Sequence, residues 1–364
     1  MGGPNPIMNA PTTDVRVTPD ERWRAVWSAR GQVAVRPDAA GLYLALAPMD
    51  GVTDAVYRTL LTDIDGGHSG ISVCVSEFVR VTRDAVPAAV LRRDVPELER
   101  DGRTPAGVPV FVQLLGGVAE PVAQTARTAA QLGALGVDLN FGCPAKTVNN
   151  HDGGATLLKY PRRIREIVGR TRDLVPAGVP VSMKMRVGWD SADGIEEVAQ
   201  AAEAGGAAWI TVHARTRVQL YQPPVVWRAL ALARAAVKVP VVANGDVRDV
   251  ADLQACAAQS HCEAFMIGRG AMARPELFAR LRGEAADMQR RMSRPEFAAL
   301  LVRYHELLLA SGVTASRALS RVKQWLRMAG DMDGAMGPLF TEIKVLPAWE
   351  PARAGLLAWG DAVE

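Results

Sequence analysis

The sequence predicts an α/β protein: a (β/α)8 TIM barrel followed by a C-terminal all-α helical domain. Eight short apolar runs, rich in β-branched residues, begin about 24–43 residues apart, which is the spacing of βα units. The runs are nearly continuous rather than alternating, as in parallel strands buried on both faces. Stretches of helical period separate them, and beyond about residue 285 only helical patterns remain.

Eight strands in series, each followed by a helix, are the pattern of a closed barrel. The same alternation of strands and helices also allows a doubly wound open sheet, which is the alternative architecture. The predicted strands cover residues 42–49, 73–79, 109–115, 136–142, 179–185, 209–214, 240–246 and 264–270.

The pattern divides the chain into three regions. Residues 1–40 are expected to form a partly disordered N-terminal extension with a short helix at 19–30. Residues 41–285 form the predicted barrel domain, and residues 286–364 form the predicted helical domain. Helices are predicted in that domain over 295–310, 314–329 and 338–360.

The composition excludes several classes of protein. The chain has 364 residues, of which 49% are hydrophobic and 22% charged, and this is too apolar for a disordered protein. Its four cysteines are too few for a disulfide scaffold and fit a reducing compartment. The sequence has no 18-residue apolar run and no basic-then-apolar leader, so we expect no membrane span and a cytoplasmic location.

Polar side chains and turn residues gather at, or just after, the C-terminal end of every predicted strand. In a barrel these strand ends meet at one face, which is where such folds carry their chemistry. The residues concerned are Pro48, Met49, Asp50, Glu77, Gln113, Asn140, Cys143, Lys184, Arg186, His213, Asn244, Gly245, Asp246, Gly268 and Arg269. Their convergence predicts a functional site at this face more strongly than any one of them does.

The last two strand ends predict a phosphate site. Asn-Gly-Asp at 244–246 and Gly-Arg-Gly at 268–270 are turns that can expose backbone N–H groups. A helix is expected after each turn, and Arg269 adds a guanidinium that suits phosphate oxygens. Barrels commonly bind phosphate at these two loops.

Two reactive side chains leave more than one interpretation open. Lys184 has apolar neighbours and could form a Schiff base or place a positive charge beside an electron-rich ring, such as a reduced flavin. The flavin use agrees better with the Cys, Gln and Asn at the same end of the barrel. Cys143 could be a nucleophile, a general acid or a structural thiol. Cys256, His261 and Cys262 lack metal-ligand spacing, so no metal site is predicted.

The sequence resembles the tRNA-dihydrouridine synthases over about residues 42–280. The segment VDLNFGCP at 137–144 is similar to the signature of that family. Other similar segments follow in order: LAPMDGVTD at 46–54, SEF at 76–78, VQLLG at 112–116, KMRVGWD at 184–190, VHARTR at 212–217, NGD at 244–246 and IGRGA at 267–271. The details SEFVRV, GCPAKTVN, GGATLLK and RVKQWL resemble the bacterial C-type subfamily most closely.

The resemblance implies an FMN enzyme that uses NADPH or NADH as its reductant. Hydride then passes from flavin N5 to C6 of a uracil, and a cysteine protonates C5; by resemblance that cysteine is Cys143. The implied flavin contacts are Pro48, Met49, Asp50, Gln113, Lys184, His213, Asn244, Gly245, Asp246, Gly268 and Arg269.

The implied substrate is a uridine in the D-loop of tRNA, at position 16 in the C-type subfamily. Glu77, Arg80, Asn140 and Arg186 are implied on the substrate side of the site. Such an enzyme takes the base out of its stack before the chemistry. We expect a monomer whose partners are tRNA and NAD(P)H.

The helix predicted over 314–329 gives an independent indication of an RNA partner. One of its faces is apolar, and the opposite face is basic. The basic residues are Arg317, Arg321, Lys323 and Arg327. Residues 280–330 hold ten basic and four acidic residues, although the whole chain has a net charge of only +3. A basic helical domain beside a mildly acidic barrel fits binding to RNA phosphates.

Two other functions fit parts of the pattern. A flavin barrel acting on a free pyrimidine, like the dihydroorotate dehydrogenases, would have no use for a basic helical domain. A tRNA-binding protein without catalysis would have no use for Cys143 and Lys184.

Overall fold

In the computed structural model, which describes residues 42–149, 153–283 and 291–362, the strands form a closed parallel barrel. The strands are β1 (Tyr43–Leu46), β2 (Val73–Val75), β3 (Val79–Arg80), β4 (Val110–Leu115), β5 (Val137–Phe141), β6 (Val181–Arg186), β7 (Ile210–His213), β8 (Val241–Asn244) and β9 (Ala264–Ile267). Their order is β2-β1-β9-β8-β7-β6-β5-β4-β3, and β2 also pairs with β4, which closes the ring. The barrel prediction is confirmed, and the doubly wound sheet is excluded. The predicted extension 1–40 with its helix, and the predicted boundary after residue 285, lie outside the described residues.

The second predicted strand, over 73–79, is split into two. β2 and β3 both pair with β4 and together form one side of the barrel. At the break, the hydroxyl of Ser76 accepts a hydrogen bond of 3.0 Å from the backbone N–H of Gln113 and donates one of 2.9 Å to the carbonyl oxygen of Glu77. A side chain therefore takes over part of the backbone ladder at this point.

The strand register places predicted site residues in rows across the barrel. Arg186 pairs with His213, and His213 pairs with Asn244. Asn140 pairs with Lys184 on the neighbouring strand. All of these residues lie towards the C-terminal ends of their strands, so they share one mouth of the barrel.

Helices surround the barrel and bury their apolar faces against it. They are α1 (Ala55–Thr62), α2 (Ala88–Asp94), α3 (Ala119–Gln131), α4 (Lys146–Asn149), α5 (Pro161–Leu174), α6 (Ile195–Ala204), α7 (Trp227–Ala236), α8 (Val250–Ser260), α9 (Arg269–Ala273) and α10 (Leu277–Arg282). Three 3-10 helices cover Ile64–Gly67, Pro96–Arg100 and Gly154–Lys159. A separate apolar cluster, formed mostly by strand residues, includes Phe111 of β4 and Trp209 just before β7, whose ring centroids are 5.5 Å apart.

Four helices follow the barrel: α11 (Arg294–Ala310), α12 (Ala315–Met332), α13 (Gly337–Ile343) and α14 (Trp349–Asp361). The predictions over 295–310 and 314–329 are confirmed, but the single helix predicted over 338–360 is wrong. Pro347 explains the interruption, because proline has no N–H and disfavours helical backbone in the residue before it. The ammonium group of Lys323 donates to two carbonyl oxygens at the break, those of Lys344 at 3.0 Å and Leu346 at 2.5 Å.

The helices of the C-terminal region pack on the barrel through aromatic side chains. The ring of Trp325 in α12 lies 4.7 Å from that of Tyr57 in α1 and 5.1 Å from that of Tyr304 in α11. Trp325 is fully buried, so this cluster ties the two regions together. No helix within the described ranges is long and apolar enough to cross a membrane.

Candidate active site

A cleft opens at the C-terminal ends of the strands. Thirteen residues that the sequence analysis singled out line it: Pro48, Met49, Asp50, Asn140, Cys143, Lys184, Arg186, His213, Asn244, Gly245, Asp246, Gly268 and Arg269. Gln113 lies beneath the cleft, and Glu77 and Arg80 lie to one side of it. The remaining four candidates are on α12.

Cys143 follows β5 in a loop that lines the cleft and is half-buried. Burial raises the pKa of its thiol, and the nearby carboxylate of Asp50 acts in the same direction. A hydrogen bond with the backbone of Ala145 and the charges of Arg186 and Arg80 oppose the rise without cancelling it. The thiol is therefore protonated at neutral pH. This state suits a proton donor, whereas a nucleophilic cysteine needs the thiolate.

The amide of Asn140 holds the loop that carries Cys143. Its Oδ1 accepts hydrogen bonds from the backbone N–H groups of Gly142 at 3.0 Å and Cys143 at 2.9 Å. Its Nδ2 donates to Oε1 of Gln113 at 2.9 Å. The resemblance implied that Asn140 contacts the substrate, and the structure shows that most of its hydrogen-bonding capacity is already used inside the protein.

Gln113 is fully buried, and its Oε1 accepts a hydrogen bond from Asn140, which lines the cleft. Its Nε2 donates to Oδ2 of Asp138 at 2.7 Å, and the hydroxyl of Ser182 donates to the other carboxylate oxygen at 2.6 Å. Burial raises the pKa of Asp138, although these two hydrogen bonds and the charge of Lys184 oppose the rise.

Lys184 and His213 lie next to each other on the cleft wall. Burial lowers the pKa of the Lys184 ammonium to about 8, and the positive charge of Arg186 adds to this effect. Burial and the surrounding cations, Lys184 first among them, hold the pKa of His213 well below its ordinary value, so the imidazole is neutral at pH 7. Among the described residues, the Lys184 ammonium has no hydrogen-bond partner, which leaves it available to a bound molecule.

The two glycine turns after β8 and β9 form the far end of the cleft. No described residue accepts a hydrogen bond from the backbone N–H groups of Gly245, Asp246 and Gly268. Gly245 has a φ of +131°, a conformation that favours glycine. A Cβ at Gly268 would lie 3.2 Å from Sδ of Met49, so a larger residue there would crowd this part of the cleft.

The carboxylate of Asp246 is held by two arginines rather than free. Arg215 donates to both of its oxygens, at 3.0 and 2.5 Å, and Arg269 donates to Oδ1 at 2.8 Å. Burial raises the pKa of Asp246, but these hydrogen bonds and charges more than offset that effect and leave the pKa below its usual range. The amide of Asn244 is also engaged, since it donates to the carbonyl oxygen of Met266 at 2.8 Å. These two side chains therefore shape the turn, while its backbone and Arg269 face the cleft.

Sequence reasoning missed two residues of the site, Tyr221 and Arg215. Tyr221 is 52% exposed and lines the cleft, and the guanidiniums of Arg186 and Arg269 lie 5.4 and 5.0 Å from its ring centroid. Arg215 comes two residues after the end of β7, which was the available signal for it. For Tyr221 the signal was an aromatic residue in the polar loop that follows β7.

Arg186 connects the two loops on its side of the cleft. It donates to the carbonyl oxygen of Gly142 at 2.9 Å, and to those of Thr216 at 2.8 Å and Leu220 at 2.7 Å. Burial lowers its pKa, yet an arginine stays charged at any ordinary pH. Its predicted role was to orient a substrate base, whereas these contacts hold the Cys143 loop and the Tyr221 loop in place.

The substrate-side candidates on the barrel lie at the edge of the cleft. Oε1 of Glu77 accepts a hydrogen bond of 2.9 Å from the backbone N–H of Val52. Burial raises the pKa of this carboxyl, and the charge of Arg321 opposes the rise. Arg80 is exposed, and its guanidinium lies 3.4 Å from the carbonyl oxygen of Thr147.

The four basic residues of α12 do not form one uniform surface. Nε of Arg321 lies 3.8 Å from Asp54, and its Nη1 lies 3.9 Å from Glu77, at the contact between α12 and the barrel. Lys323 is bound to the carbonyl oxygens before α14. Arg317 and Arg327 are exposed.

The chain is similar to known proteins over most of its length, and the dihydrouridine synthase family model matches residues 45–333. Over 287 residues it is 45% identical to a tRNA-dihydrouridine(16) synthase of Cupriavidus necator, which covers 78% of this chain and 86% of the relative. It is 42% identical over 302 residues to the Escherichia coli protein of the same name, covering 83% and 93%. A solved 2-naphthoyl-CoA reductase complex has a TM-score of 0.51 at 12% identity, over 66% of this chain and 50% of that one, and shows a shared fold only. The resemblance predicted from the sequence is confirmed: the chain belongs to the dihydrouridine synthase family.

Proposed function

We propose that the protein is a tRNA-dihydrouridine synthase that reduces the C5=C6 bond of uridine 16 in the tRNA D-loop. FMN is the proposed cofactor, and NADPH or NADH is the proposed reductant. The observation that carries the proposal is one cleft that combines a protonated thiol, Cys143, with a cationic wall and a backbone turn suited to phosphate. Family membership and the similarity to tRNA-dihydrouridine(16) synthases of other bacteria support the same reaction.

The glycine turns suit the phosphate of FMN. Backbone N–H groups of Gly245, Asp246 and Gly268 have no partner among the described residues, and Arg269 adds a charge beside them. An anion gains most from such fixed donors, because they need little reorganisation to bind it. Asp246 would keep Arg269 and Arg215 in place beneath the phosphate. The helix N-termini expected here add less: α8 begins at Val250 and is capped by Asp249, and α9 spans only Arg269–Ala273.

The remaining cleft suits the flavin ring. Pro48, Met49 and Met266 offer an apolar wall, and Lys184 offers a positive charge for the polar edge of the ring. The neutral His213 can stand beside this wall without competing for the ring's electron-rich edge. When bound, FMN would supply the hydride that adds to C6 of the uracil.

Cys143 supplies the proton in the proposed reaction. Its thiol is protonated at neutral pH because of burial, and its loop is held by Asn140 and Arg186. Transfer of the thiol proton to C5, together with hydride addition at C6, completes the reduction of the C5=C6 bond. A positioned acid of this kind contributes about 10²–10⁴-fold to a rate.

The exposed surface beside the cleft would bind the tRNA. Tyr221 offers an exposed ring at the mouth, and Arg80 is an exposed cation at its edge. We assign residues 41–285 to the catalytic domain and residues 286–364 to a tRNA-binding domain, in which Arg317 and Arg327 face outwards. As an enzyme of tRNA, the protein is proposed to act in the cytoplasm as a monomer.

The proposal is tested with purified protein, FMN and tRNA transcripts. We expect a yellow protein whose flavin is reduced by NADPH and then reoxidised by a tRNA with uridine at position 16. A transcript with cytidine at that position is the matched control and should form no dihydrouridine there. Protein that binds no FMN, or that reduces free uracil and not tRNA, would refute the proposal. Dihydrouridine at another position would refute only the assignment to position 16.

A further inference from the structure

A buried row of polar side chains lies beneath the Cys143 loop. In the strand register, Gln113 on β4 pairs with Asp138 on β5, and Asp138 pairs with Ser182 on β6. Asp138 is 1% exposed and does not line the cleft. The reaction proposed above gives this carboxylate no role. Burying a carboxylate costs free energy of folding unless hydrogen bonds compensate for the lost water.

Hydrogen bonds lead from this carboxylate to the backbone of the catalytic loop in three steps. Gln113 Nε2 donates to Oδ2 of Asp138 at 2.7 Å. Asn140 Nδ2 then donates to Oε1 of Gln113 at 2.9 Å. Finally, the backbone N–H of Cys143 donates to Oδ1 of Asn140 at 2.9 Å, and that of Gly142 donates to the same oxygen at 3.0 Å.

The direction of every hydrogen bond in this chain is set by its two ends. The carboxylate of Asp138 offers an oxygen to Gln113, so the NH₂ group of Gln113 must face it. The oxygen of Gln113 then faces Asn140, which in turn must present its own oxygen to the loop. Turning either amide over would place two donors or two acceptors against each other in a buried place.

We propose that Asp138 is a positioning residue that orients the amides of Gln113 and Asn140 and thereby holds Cys143 in place for proton transfer. The inference rests on the proposed function, in which Cys143 is the acid. According to this inference, side chains of the barrel strands already hold Cys143 in its position before tRNA binds. A displacement of about 1 Å at a reacting group can cost about 10²-fold in rate.

The test compares three variants of the FMN-loaded protein. Asp138→Leu removes the acceptor at a similar size, and we expect kcat to fall at least about tenfold while KM for tRNA changes less than about twofold. Asp138→Asn can still offer an oxygen to Gln113 and an NH₂ to Ser182, so we expect it to stay within about threefold of the parent. Ser182→Ala removes the other hydrogen bond to Asp138 and leaves the chain intact, so it is the matched control.

Alkylation of Cys143 by iodoacetamide gives a readout that needs no turnover. The other three cysteines are buried, so modification reports on this thiol. We expect faster alkylation in Asp138→Leu, because its loop is no longer held, and the parental rate in Asp138→Asn and Ser182→Ala. The alkylation rates also separate the two proposals. A protein that is inactive on tRNA would refute the proposed function, but its alkylation rates would still show whether Asp138 holds the loop that carries Cys143.

Several outcomes would overturn the inference. One is a parental kcat and a parental alkylation rate in Asp138→Leu. Another is a fall in kcat in Asp138→Asn as large as that in Asp138→Leu. The last is an equal fall in kcat in Ser182→Ala. If Asp138→Leu does not fold, Gln113→Leu breaks the chain at its next link and carries the same expectation for alkylation. Parental alkylation in that variant would be just as decisive against the chain.

Discussion

The indole N–H of Trp325 donates a hydrogen bond of 2.8 Å to the carbonyl oxygen of Met272. Met272 belongs to α9, the short helix that begins at Arg269. The same indole packs against Tyr57 and Tyr304. One buried side chain thus joins α12 to the barrel and to the turn that is proposed to bind phosphate.

Replacing Trp325 should therefore destabilise the whole protein. We expect Trp325→Ala to lower the free energy of unfolding by about 3–5 kcal/mol, because it opens a cavity in a buried aromatic cluster. Trp325→Phe keeps a ring and loses the hydrogen bond to Met272, so about 1–3 kcal/mol is expected. Denaturant unfolding measures both values. Leu232→Ala on the exposed surface of α7 is the control and should change stability little.

The thiol of Cys143 is expected to be needed for chemistry and not for binding. Cys143→Ala should bind FMN and tRNA as the parent does and should still accept hydride from NADPH. Formation of dihydrouridine should fall about 10²–10⁴-fold, the usual contribution of a general acid. Single-turnover reoxidation of the reduced flavin by tRNA is the measurement. A rate within threefold of the parent would remove Cys143 from the acid role.

Lys184 should make FMN binding depend on pH. The pKa of this ammonium is lowered to about 8 in the protein without FMN, so the group is charged below pH 8 and neutral above it. A charged hydrogen-bond donor binds an electron-rich ring edge better than a neutral amine does. FMN affinity, measured by fluorescence quenching between pH 7 and 10, should therefore fall about tenfold as pH rises. Lys184→Met should bind weakly at every pH, and a persistent fall in that variant would assign the effect to another group.

The sequence was sufficient to predict which residues meet at the mouth of the barrel. Strand periodicity places the end of each strand, and a closed barrel brings those ends together, as Cys143, Lys184 and Gly268 illustrate. Pro347 was also visible in the sequence, and the helix predicted across it ignored the effect of proline on the preceding residue.

The partners of these side chains could not be predicted in the same way. Asp246 was expected to face a phosphate, yet it binds Arg215, which is 31 positions away in the sequence. Arg186 donates to carbonyl oxygens of two loops whose paths no periodicity describes. Polar side chains have several possible partners, and loop geometry decides among them, so their roles become readable only in three dimensions.

The exposed arginines of α12 should contribute to tRNA binding through charge alone. Arg317 and Arg327 face outwards, and neither has an ion-pair or hydrogen-bond partner for its side chain within the described part of the chain, unlike Arg321 and Lys323. Each phosphate contact adds about 0.7–0.9 to the slope of log affinity against log salt concentration. The double variant Arg317→Gln/Arg327→Gln should therefore bind tRNA more weakly, with a slope reduced by about 1.4–1.8 and an unchanged kcat.

A matched double variant removes two charges elsewhere on the protein. Arg165 and Arg228 are exposed on the outer helices α5 and α7 of the barrel. If α12 is the tRNA-binding surface, Arg165→Gln/Arg228→Gln should keep the parental affinity and slope, although its net charge changes equally. Equal losses in the two double variants would mean that net charge, and not the surface of α12, governs binding. Binding titrations at several salt concentrations distinguish these outcomes, because a local contact changes the slope of one variant and a general charge effect changes both alike.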